Sequence, residues 1–215
     1  MKSTSTPLFA TPIYKTMCGN AEGLGSLKDY LLRQQSVKTF KNIDSPQPSP
    51  AGVFESHFNL FDIQAEEIQS LKEKLYQHLM QYLMEVNNCK ASDLDQLSFK
   101  NESWVHITAK GGYFQTHNHP MAAVSMVYCV APGEEGLDDK ENGSFVMHDP
   151  RYNASMYIDP ANHEIIRAYS FNGGRFRFKA DELLIFPSYL YHTVEPYNGI
   201  TPRITIAANF SFSYK

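Results

Sequence analysis

The stretch Arg203-Ile204-Thr205-Ile206-Ala207-Ala208-Asn209-Phe210-Ser211-Phe212 decides the fold class. Side chains alternate between the two faces of a β-strand, so the even-numbered residues of this stretch share one face and the odd-numbered residues share the other. The even face is wholly apolar and needs cover, whereas the odd face is small and polar and begins with an arginine. The pattern predicts a strand with one face against a core and the other face either lining a ligand cavity or exposed to solvent.

Short segments rich in β-branched and aromatic residues occupy the chain from about Leu97 onward, separated by Gly, Pro, Asn and Asp. Many short strands at this spacing are typical of an antiparallel sandwich or barrel and not of a parallel βαβ sheet. Pro7–Lys15 could add an edge strand. The predicted strands are Phe99–Thr108, Tyr113–His119, Ala122–Val130, Gly143–Met147, Ile165–Phe171, Arg175–Lys179, Glu182–Phe186, His192–Glu195 and Arg203–Tyr214.

Two amphipathic helices are predicted before these strands, within Asn20–Val37 and over Ala65–Val86. The second helix carries an apolar stripe at helical spacing, with Asp62 as its expected cap and Asn87-Asn88 as its end. We therefore expect a mainly β fold with N-terminal helices. Residues 1–96 would form an edge strand and a helical support region, and residues 97–215 would form the β region, which carries the candidate site described below, of one compact domain.

The composition is that of an ordinary globular chain. The 215 residues carry 19 Lys+Arg and 23 Asp+Glu, which gives a net charge of −4. Clustered basic residues are missing from the sequence, so we expect no nucleic-acid partner. No apolar run reaches the length of a membrane span, and the N-terminus lacks the apolar core of a signal peptide. Three scattered cysteines favour a reducing, cytoplasmic location.

Two of the eight histidines, His117 and His119, are separated by one residue. Residues i and i+2 of a strand project to the same side, so both imidazoles could share a metal ion at a strand end that Pro120 closes. A pair of surface histidines would give the same pattern.

A third histidine, His192, follows a Pro187-Ser188 turn after an apolar strand, and Arg203 comes eleven residues later. Two ligands from one strand and one from a distant strand leave open positions around a ferrous ion for substrate and dioxygen. An arginine in a cavity presents a rigid, permanently charged fork that suits a carboxylate. The alternative for Arg203 is a surface ion pair, because the neighbouring Pro202 indicates a loop.

The ordered set His-x-His, Phe-Pro-Ser-x-x-x-His-x-Val and Arg-x-Thr resembles the 2-oxoglutarate/Fe(II)-dependent dioxygenase superfamily, and more narrowly a group of small 2OG-Fe(II) oxygenases. The three motifs begin at His117, Phe186 and Arg203. Matches to that group span nearly the whole chain. They include Leu8–Tyr14, the strand of Trp104, His117–Pro120, Ser125–Tyr128 and Asp149–Arg151.

The resemblance implies a double-stranded β-helix, a jelly-roll and cupin-like fold. It also implies an enzyme that couples the oxidative decarboxylation of 2-oxoglutarate by dioxygen to hydroxylation of a substrate that the sequence does not identify. Beyond the metal ligands, no catalytic residue is implied. The residues that the resemblance assigns are His117, His119 and His192 for Fe(II), and Arg203 with Thr205 or Tyr128 for the far carboxylate of 2-oxoglutarate.

His119 departs from the superfamily, whose usual second ligand is Asp or Glu. A neutral imidazole in that place leaves the bound ion one unit more positive. Three interpretations stay open: His119 ligates in an all-histidine site, a carboxylate such as Asp149 completes the site, or the site is altered enough that catalysis is weak or lost.

Asp149-Pro150-Arg151 resembles a lid or substrate-contacting loop. Arg151 lies on a proline-stiffened turn between predicted strands, where binding loops concentrate. A structural turn with a surface arginine is the alternative. Trp104 is a further candidate for substrate contact.

Two other functions stay open. A three-histidine jelly-roll dioxygenase that uses no 2-oxoglutarate would have no need of a cation at Arg203. A non-catalytic binding module would hold no metal and would use aromatic residues such as Tyr113 and Phe114 as its platform. The oligomeric state cannot be predicted from the sequence.

Overall fold

The structure is a computed structural model that describes residues 5–43, 52–133, 141–151, 159–166, 169–170 and 173–215. The longer helices come early in the chain, and most strands follow them. The helices are α1 (Leu24–Gln35) and α2 (Glu66–Asn87). The strands are β1 (Tyr14–Met17), β2 (Val53–Glu55), β3 (Leu97–Thr108), β4 (Phe114–His117), β5 (Val124–Ala131), β6 (Phe145–Met147), β7 (Gly174–Phe176), β8 (Glu182–Pro187), β9 (His192–Val194) and β10 (Arg203–Tyr214).

Helix α2 forms because apolar residues recur along one side of it, and this side is buried. Two glutamates in its first turn stabilise the helix, because their negative charges interact favourably with the positive end of the helix dipole. The helix ends at Asn88, which adopts a left-handed conformation with φ of 49°. The predicted cap was wrong: Ala65 occupies the N-cap position without a side-chain hydrogen bond, and Asp62 ends a short 3-10 turn. Neither α1 nor α2, nor any shorter described helix, is long and apolar enough to cross a membrane.

The described strands form two sheets in which all pairings are antiparallel. The larger sheet has the order β1-β8-β5-β10-β3-β2, and the smaller has the order β4-β9-β6-β7. This confirms the mainly β, antiparallel architecture with N-terminal helices. Strands β1 and β2 join the larger sheet, so the N-terminal region is continuous with the region that follows it.

Strand β10 lies in the middle of the larger sheet, between β5 and β3. Its even-numbered face packs into a core that also contains the apolar side of α1 and α2. Its odd-numbered face lines an internal cavity with Arg203, Thr205 and Ala207. Of the two environments predicted for that face, the cavity is therefore the one observed.

A second, smaller core joins the two sheets and supports the cavity. The larger sheet contributes Cys129, Leu184 and Phe186 to it, and the smaller sheet contributes Phe145, Met147 and Val194. The two sheets thus pack face to face, with helices covering the outer side of the larger sheet.

Several predicted boundaries shift. Of the edge strand predicted over Pro7–Lys15, only Tyr14 and Lys15 lie in a strand, β1, and residues 7–13 form none. Strand β2 was not predicted because a three-residue strand carries too little pattern. The predicted strand Ile165–Phe171 is absent at residues 165–166 and 169–170; its other residues lie outside the described part of the chain.

Candidate metal centre and cavity

The structure brings His117, His119 and His192 together. Their candidate ligand nitrogens all lie within 4.8 Å of one another, and no other such group of three or more His, Cys, Asp or Glu occurs among the described residues. His117 and His192 are a cross-strand pair of β4 and β9. The strand predicted to reach His119 ends at His117, and the backbone N–H of His119 donates to the carbonyl of Ser188 at 3.0 Å. The loop, and not the strand ladder, therefore turns His119 toward the other two rings.

Hydrogen bonds to carbonyls two residues earlier orient two of the rings. Nδ1 of His117 lies 2.8 Å from the carbonyl oxygen of Gln115, and Nδ1 of His192 lies 3.0 Å from that of Leu190. When Nδ1–H donates to these carbonyls, Nε2 keeps its lone pair. Metal-binding histidines are commonly oriented in this way.

Burial keeps the three rings neutral. It lowers the pKa of His117, and together with the neighbouring imidazoles it lowers the pKa of His119 to about 4 and that of His192 to about 3. All three can therefore offer lone pairs near neutral pH. Because an unfolded histidine titrates near pH ~6.5, the unfolded chain gains no stabilising protonation above that pH, and the fold then has its full stability with respect to these groups. As the pH falls from the unfolded toward the folded pKa values, the unfolded chain binds protons that the buried rings do not, so the stability of the fold declines.

Arg203 and Thr205 lie on the same face of β10, and each is only 4% exposed. No ion pair joins Arg203 to a carboxylate of any described residue. Burial lowers the pKa of its guanidinium, which nevertheless stays charged at neutral pH. An isolated buried charge is costly, so this residue calls for an anionic ligand.

The cavity between the sheets has a volume of about 40 Å³. Its lining combines the three histidines with Arg203, Thr205 and the aromatic rings of Phe114, Phe145 and Phe186. A single water needs roughly 10–15 Å³ of such volume. The cavity therefore has room for about three water-sized groups, and much of its wall is aromatic.

Trp104 lies on the cavity wall, where its ring packs edge-on against His119 with 5.8 Å between centroids. The ring of His119 forms no hydrogen bond with a described residue, so packing holds it. Nε1–H of Trp104 donates to Nε2 of His106 at 3.0 Å, and that nitrogen also lies 2.9 Å from Oε2 of Glu55. His106 is thus a cavity residue that the sequence analysis missed. Its spacing of two from Trp104 was the available signal, because residues i and i+2 share a strand face.

Tyr128 is not brought to the cavity. It is fully buried on the opposite face of β5, and its hydroxyl donates to Oδ1 of Asp181 at 3.0 Å. The same carboxylate accepts the backbone N–H groups of Gly19 and Asn20. The reason is strand alternation: Val127 faces the cavity, so its neighbour must face the helices. The resemblance-based role for Tyr128 in 2-oxoglutarate binding therefore has no geometric support.

We predict that Tyr128→Phe lowers the free energy of unfolding by roughly 1–3 kcal/mol, the usual cost of leaving a buried hydrogen-bonding group without its partner. Affinity for 2-oxoglutarate should be unchanged. Urea denaturation and a 2-oxoglutarate titration measure the two effects, with the exposed Tyr191→Phe as the matched control. A loss of 2-oxoglutarate affinity without a loss of stability would contradict this assignment.

Asp149 and Arg151 lie in a separate pocket of about 480 Å³, which the N-terminal segment around Phe9 also lines. They pair with each other at 2.6 Å, and Arg151 also donates to the carbonyl of Ser170. The hydrogen bonds from Arg151 lower the pKa of the Asp149 carboxyl. Asp149 therefore pairs with Arg151 and is not part of the group of three histidines.

A family model described as "Putative 2OG-Fe(II) oxygenase" matches residues 102–209, just over half of the 215 residues. The chain belongs to this family of 2OG-Fe(II) oxygenases. The matched range contains the three histidines, Arg203 and Thr205. No curated protein sequence matches the chain.

Solved structures of similar fold include several 2-oxoglutarate enzymes. A prolyl-4-hydroxylase from Pseudomonas putida matches with a TM-score of 0.58 and 14% identity, over 93% of this chain and 92% of that one. A prolyl hydroxylase from Trichoplax adhaerens, solved with a hypoxia inducible factor peptide, matches with a TM-score of 0.58 and 12% identity, over 92% and 82%. HygX from Streptomyces hygroscopicus, solved with nickel, 2-oxoglutarate and hygromycin B, matches with a TM-score of 0.56 and 12% identity, over 94% and 83%.

Proposed function

We propose that this protein is an Fe(II)- and 2-oxoglutarate-dependent oxygenase that hydroxylates its substrate. His117, His119 and His192 would hold Fe(II), and Arg203 with Thr205 would hold the far carboxylate of 2-oxoglutarate. One observation carries the proposal: three neutral imidazoles converge beside a buried guanidinium that has no carboxylate partner among the described residues.

The donor set fits the two groups that the family uses. Neutral imidazoles are suitable ligands for Fe(II), and three of them leave coordination positions open. The guanidinium of Arg203 has no carboxylate partner among the described residues and could therefore bind a carboxylate of 2-oxoglutarate. Thr205 adds a hydroxyl on the same strand face. When bound, Fe(II) and 2-oxoglutarate would supply the oxidative decarboxylation by dioxygen, yielding succinate and CO₂, that is coupled to hydroxylation.

The chain's own residues would bind the metal ion, orient its histidine ligands and shield the site from water. The Nδ1 hydrogen bonds of His117 and His192 fix the ring orientations before a metal arrives. Phe145 stacks on His192 with 4.9 Å between centroids, and Phe186 meets that ring edge-on at 5.4 Å. These contacts keep the imidazole in place and limit water near it.

Anaerobic titration tests this proposal. Protein titrated with Fe(II) and then with 2-oxoglutarate should develop a weak visible metal-to-ligand charge-transfer band that saturates at one equivalent of each. Fe(II) with succinate in place of 2-oxoglutarate is the control, because succinate lacks the keto oxygen. Metal binding with no band from 2-oxoglutarate would refute the cosubstrate assignment.

The all-histidine donor set supports a second candidate, a three-histidine metal dioxygenase that uses no 2-oxoglutarate. Arg203 argues against it, because such an enzyme has no use for a buried cation. The same titration separates the two candidates, since the second predicts Fe(II) binding that 2-oxoglutarate does not perturb.

We predict that His119→Asp keeps the metal content and raises 2-oxoglutarate turnover severalfold, because a carboxylate restores the ligand charge usual in the superfamily. Metal analysis and succinate formation measure the outcome, with His148→Asp as a control outside the triad. Unchanged metal content and unchanged turnover would remove His119 from the ligand set.

Two further features complete the proposal. We assign the paired sheets to a double-stranded β-helix, a jelly-roll, which is supported by the face-to-face packing of antiparallel sheets around the cavity. A cytoplasmic location is supported by Cys18, Cys89 and Cys129, which are all free thiols.

A further inference from the structure

An outer groove of about 500 Å³ adjoins the candidate metal centre. His119 belongs to both spaces, because it lines the groove as well as the internal cavity. The internal cavity of about 40 Å³ has room for about three water-sized groups only. If 2-oxoglutarate takes that space, the molecule to be oxidised must lie outside it, and the groove is the adjoining space that His119 reaches.

The lining of the groove has no net charge, and it combines polar side chains with the apolar residues Pro120, Met121 and Ala122. Lys100 and Glu102 contribute opposite charges from the same strand, and Ser211 adds a hydroxyl opposite them on β10. Three asparagines, at positions 101, 118 and 209, also line it. This lining suits a neutral molecule that offers hydrogen-bonding groups.

One asparagine in this lining, unlike the other two, donates no side-chain hydrogen bond to a described residue. The amide of Asn101 donates to the hydroxyl of Tyr76 at 3.1 Å, and that of Asn118 donates to the carbonyl of Tyr189 at 3.4 Å. The N–H groups of the Asn209 side chain have no partner among the described residues, although the residue is only 9% exposed. The amide nitrogen is not among the fully buried atoms that lack a partner, so it keeps contact with solvent and can donate to an acceptor that enters the groove.

A chain of hydroxyl groups fixes how the Asn209 amide is oriented. The hydroxyl of Ser125, its cross-strand partner, donates to Oδ1 of Asn209 at 2.7 Å. Ser188 lies 2.7 Å from the same Ser125 oxygen and is free to donate to it. Since Oδ1 is held inward by Ser125, the opposite side of the amide, Nδ2, is the side left for the groove.

We propose that Asn209 is a substrate-binding residue whose Nδ2–H groups donate to a neutral oxygen acceptor, an amide carbonyl or a hydroxyl, of a substrate in the groove beside His119. This inference rests on the proposed function and deepens it by naming the chemistry that the groove recognises. Asn209 would hold the substrate at the border between the groove and the metal centre, and would take no part in binding Fe(II) or 2-oxoglutarate.

Side-chain amide NMR tests the inference with ¹⁵N-labelled protein that carries diamagnetic Zn(II) and 2-oxoglutarate. The Asn209 amide signal is identified by its absence in Asn209→Asp, which keeps an oxygen for Ser125 but has no donor. The probes are N-methylacetamide for an amide carbonyl, ethylene glycol for a hydroxyl and acetate for an anion. We expect one of the two neutral probes to move the Asn209 signal, and the responding probe identifies the acceptor type. The signal of Asn101, an amide in the same groove that already has a partner, should stay in place.

In Asn209→Asp, binding of that neutral probe, followed by backbone signals of Ala122 and Ser211, should weaken at least about fivefold, the equivalent of one ~1 kcal/mol hydrogen bond. A response to acetate alone would overturn the neutral-acceptor assignment. If Zn(II) and 2-oxoglutarate bind but no probe moves the Asn209 signal, the inference fails and the proposed function stands. If Zn(II) does not bind the triad, both fail.

Discussion

Replacing His192 with alanine is expected to weaken Fe(II) or Zn(II) binding by more than about 100-fold, since losing even a partner that orients a ligand costs ~10–100-fold. His192 is 3% exposed and its Nδ1 is bonded to the backbone, so Nε2 is poised for the metal before binding. Without His192, only two imidazoles of the triad would remain: His117 at the end of β4 and His119 in the loop that follows. Calorimetric titration and metal content after gel filtration measure the loss.

The matched control for that variant is His148→Ala. His148 precedes Asp149, and its Nε2 lies 2.7 Å from the hydroxyl of Thr193, the residue next to His192, yet it is outside the triad. This control should bind metal as the wild-type protein does. Because His192→Ala also removes a ring from between Phe145 and Phe186, its folding must be checked by thermal unfolding. Stoichiometric, tight metal binding by a folded His192→Ala protein would refute the candidate centre.

The central strand and its two faces could be predicted from sequence because alternation is a local property. Isoleucine and phenylalanine at every second position required a core, and the arginine and threonine between them required a polar environment. The apolar stripe on α2 could be predicted equally well, because it repeats over many turns of the helix. Both patterns are long enough to outweigh local irregularities.

The differences between the sequence analysis and the structure concern residues whose position depends on contacts across the fold. Tyr128 was assigned by resemblance, but the register of β5 turns it to the helices, where Asp181 from a distant turn takes its hydroxyl. Asp149 was an available carboxylate on sequence grounds, but Arg151 two residues later engages it. The position of His106 follows from its spacing to Trp104, yet its partner Glu55 comes from a strand too short to predict.

The convergence of the histidines was predicted for a reason that is only partly right. A strand reaching His119 would have placed two imidazoles side by side, but β4 ends at His117. The loop that follows is fixed by its hydrogen bond to Ser188, a residue of the turn that also leads into His192. The turn that contains Ser188 thus positions both the segment of His119 and the segment of His192. This long-range contact cannot be predicted from the spacing of the histidines in the sequence.

Replacing Arg203 with methionine is expected to change ligand binding and stability in opposite directions. Truncating one partner of a buried charge pair costs about 2–5 kcal/mol. The affinity for 2-oxoglutarate should therefore decrease by a factor of between about 30 and several thousand. Metal affinity should change little, because Arg203 is not in the triad. The charge-transfer titration measures the cosubstrate and calorimetry measures the metal. Arg203→Lys should lie between, because an ammonium keeps the charge but loses the planar fork.

The ligand-free Arg203→Met protein should be more stable than the wild type by about 1–4 kcal/mol, the gain seen when buried charges are replaced by apolar side chains of similar size. The wild-type guanidinium is almost wholly buried with no described carboxylate to neutralise it, so the folded protein bears an electrostatic cost that only an anionic ligand relieves. Urea denaturation without 2-oxoglutarate measures the gain, with the surface variant Arg175→Met as control. Equal 2-oxoglutarate affinity in Arg203→Met would refute the cosubstrate site. A large loss of stability would instead mean that the arginine is a structural element of the fold.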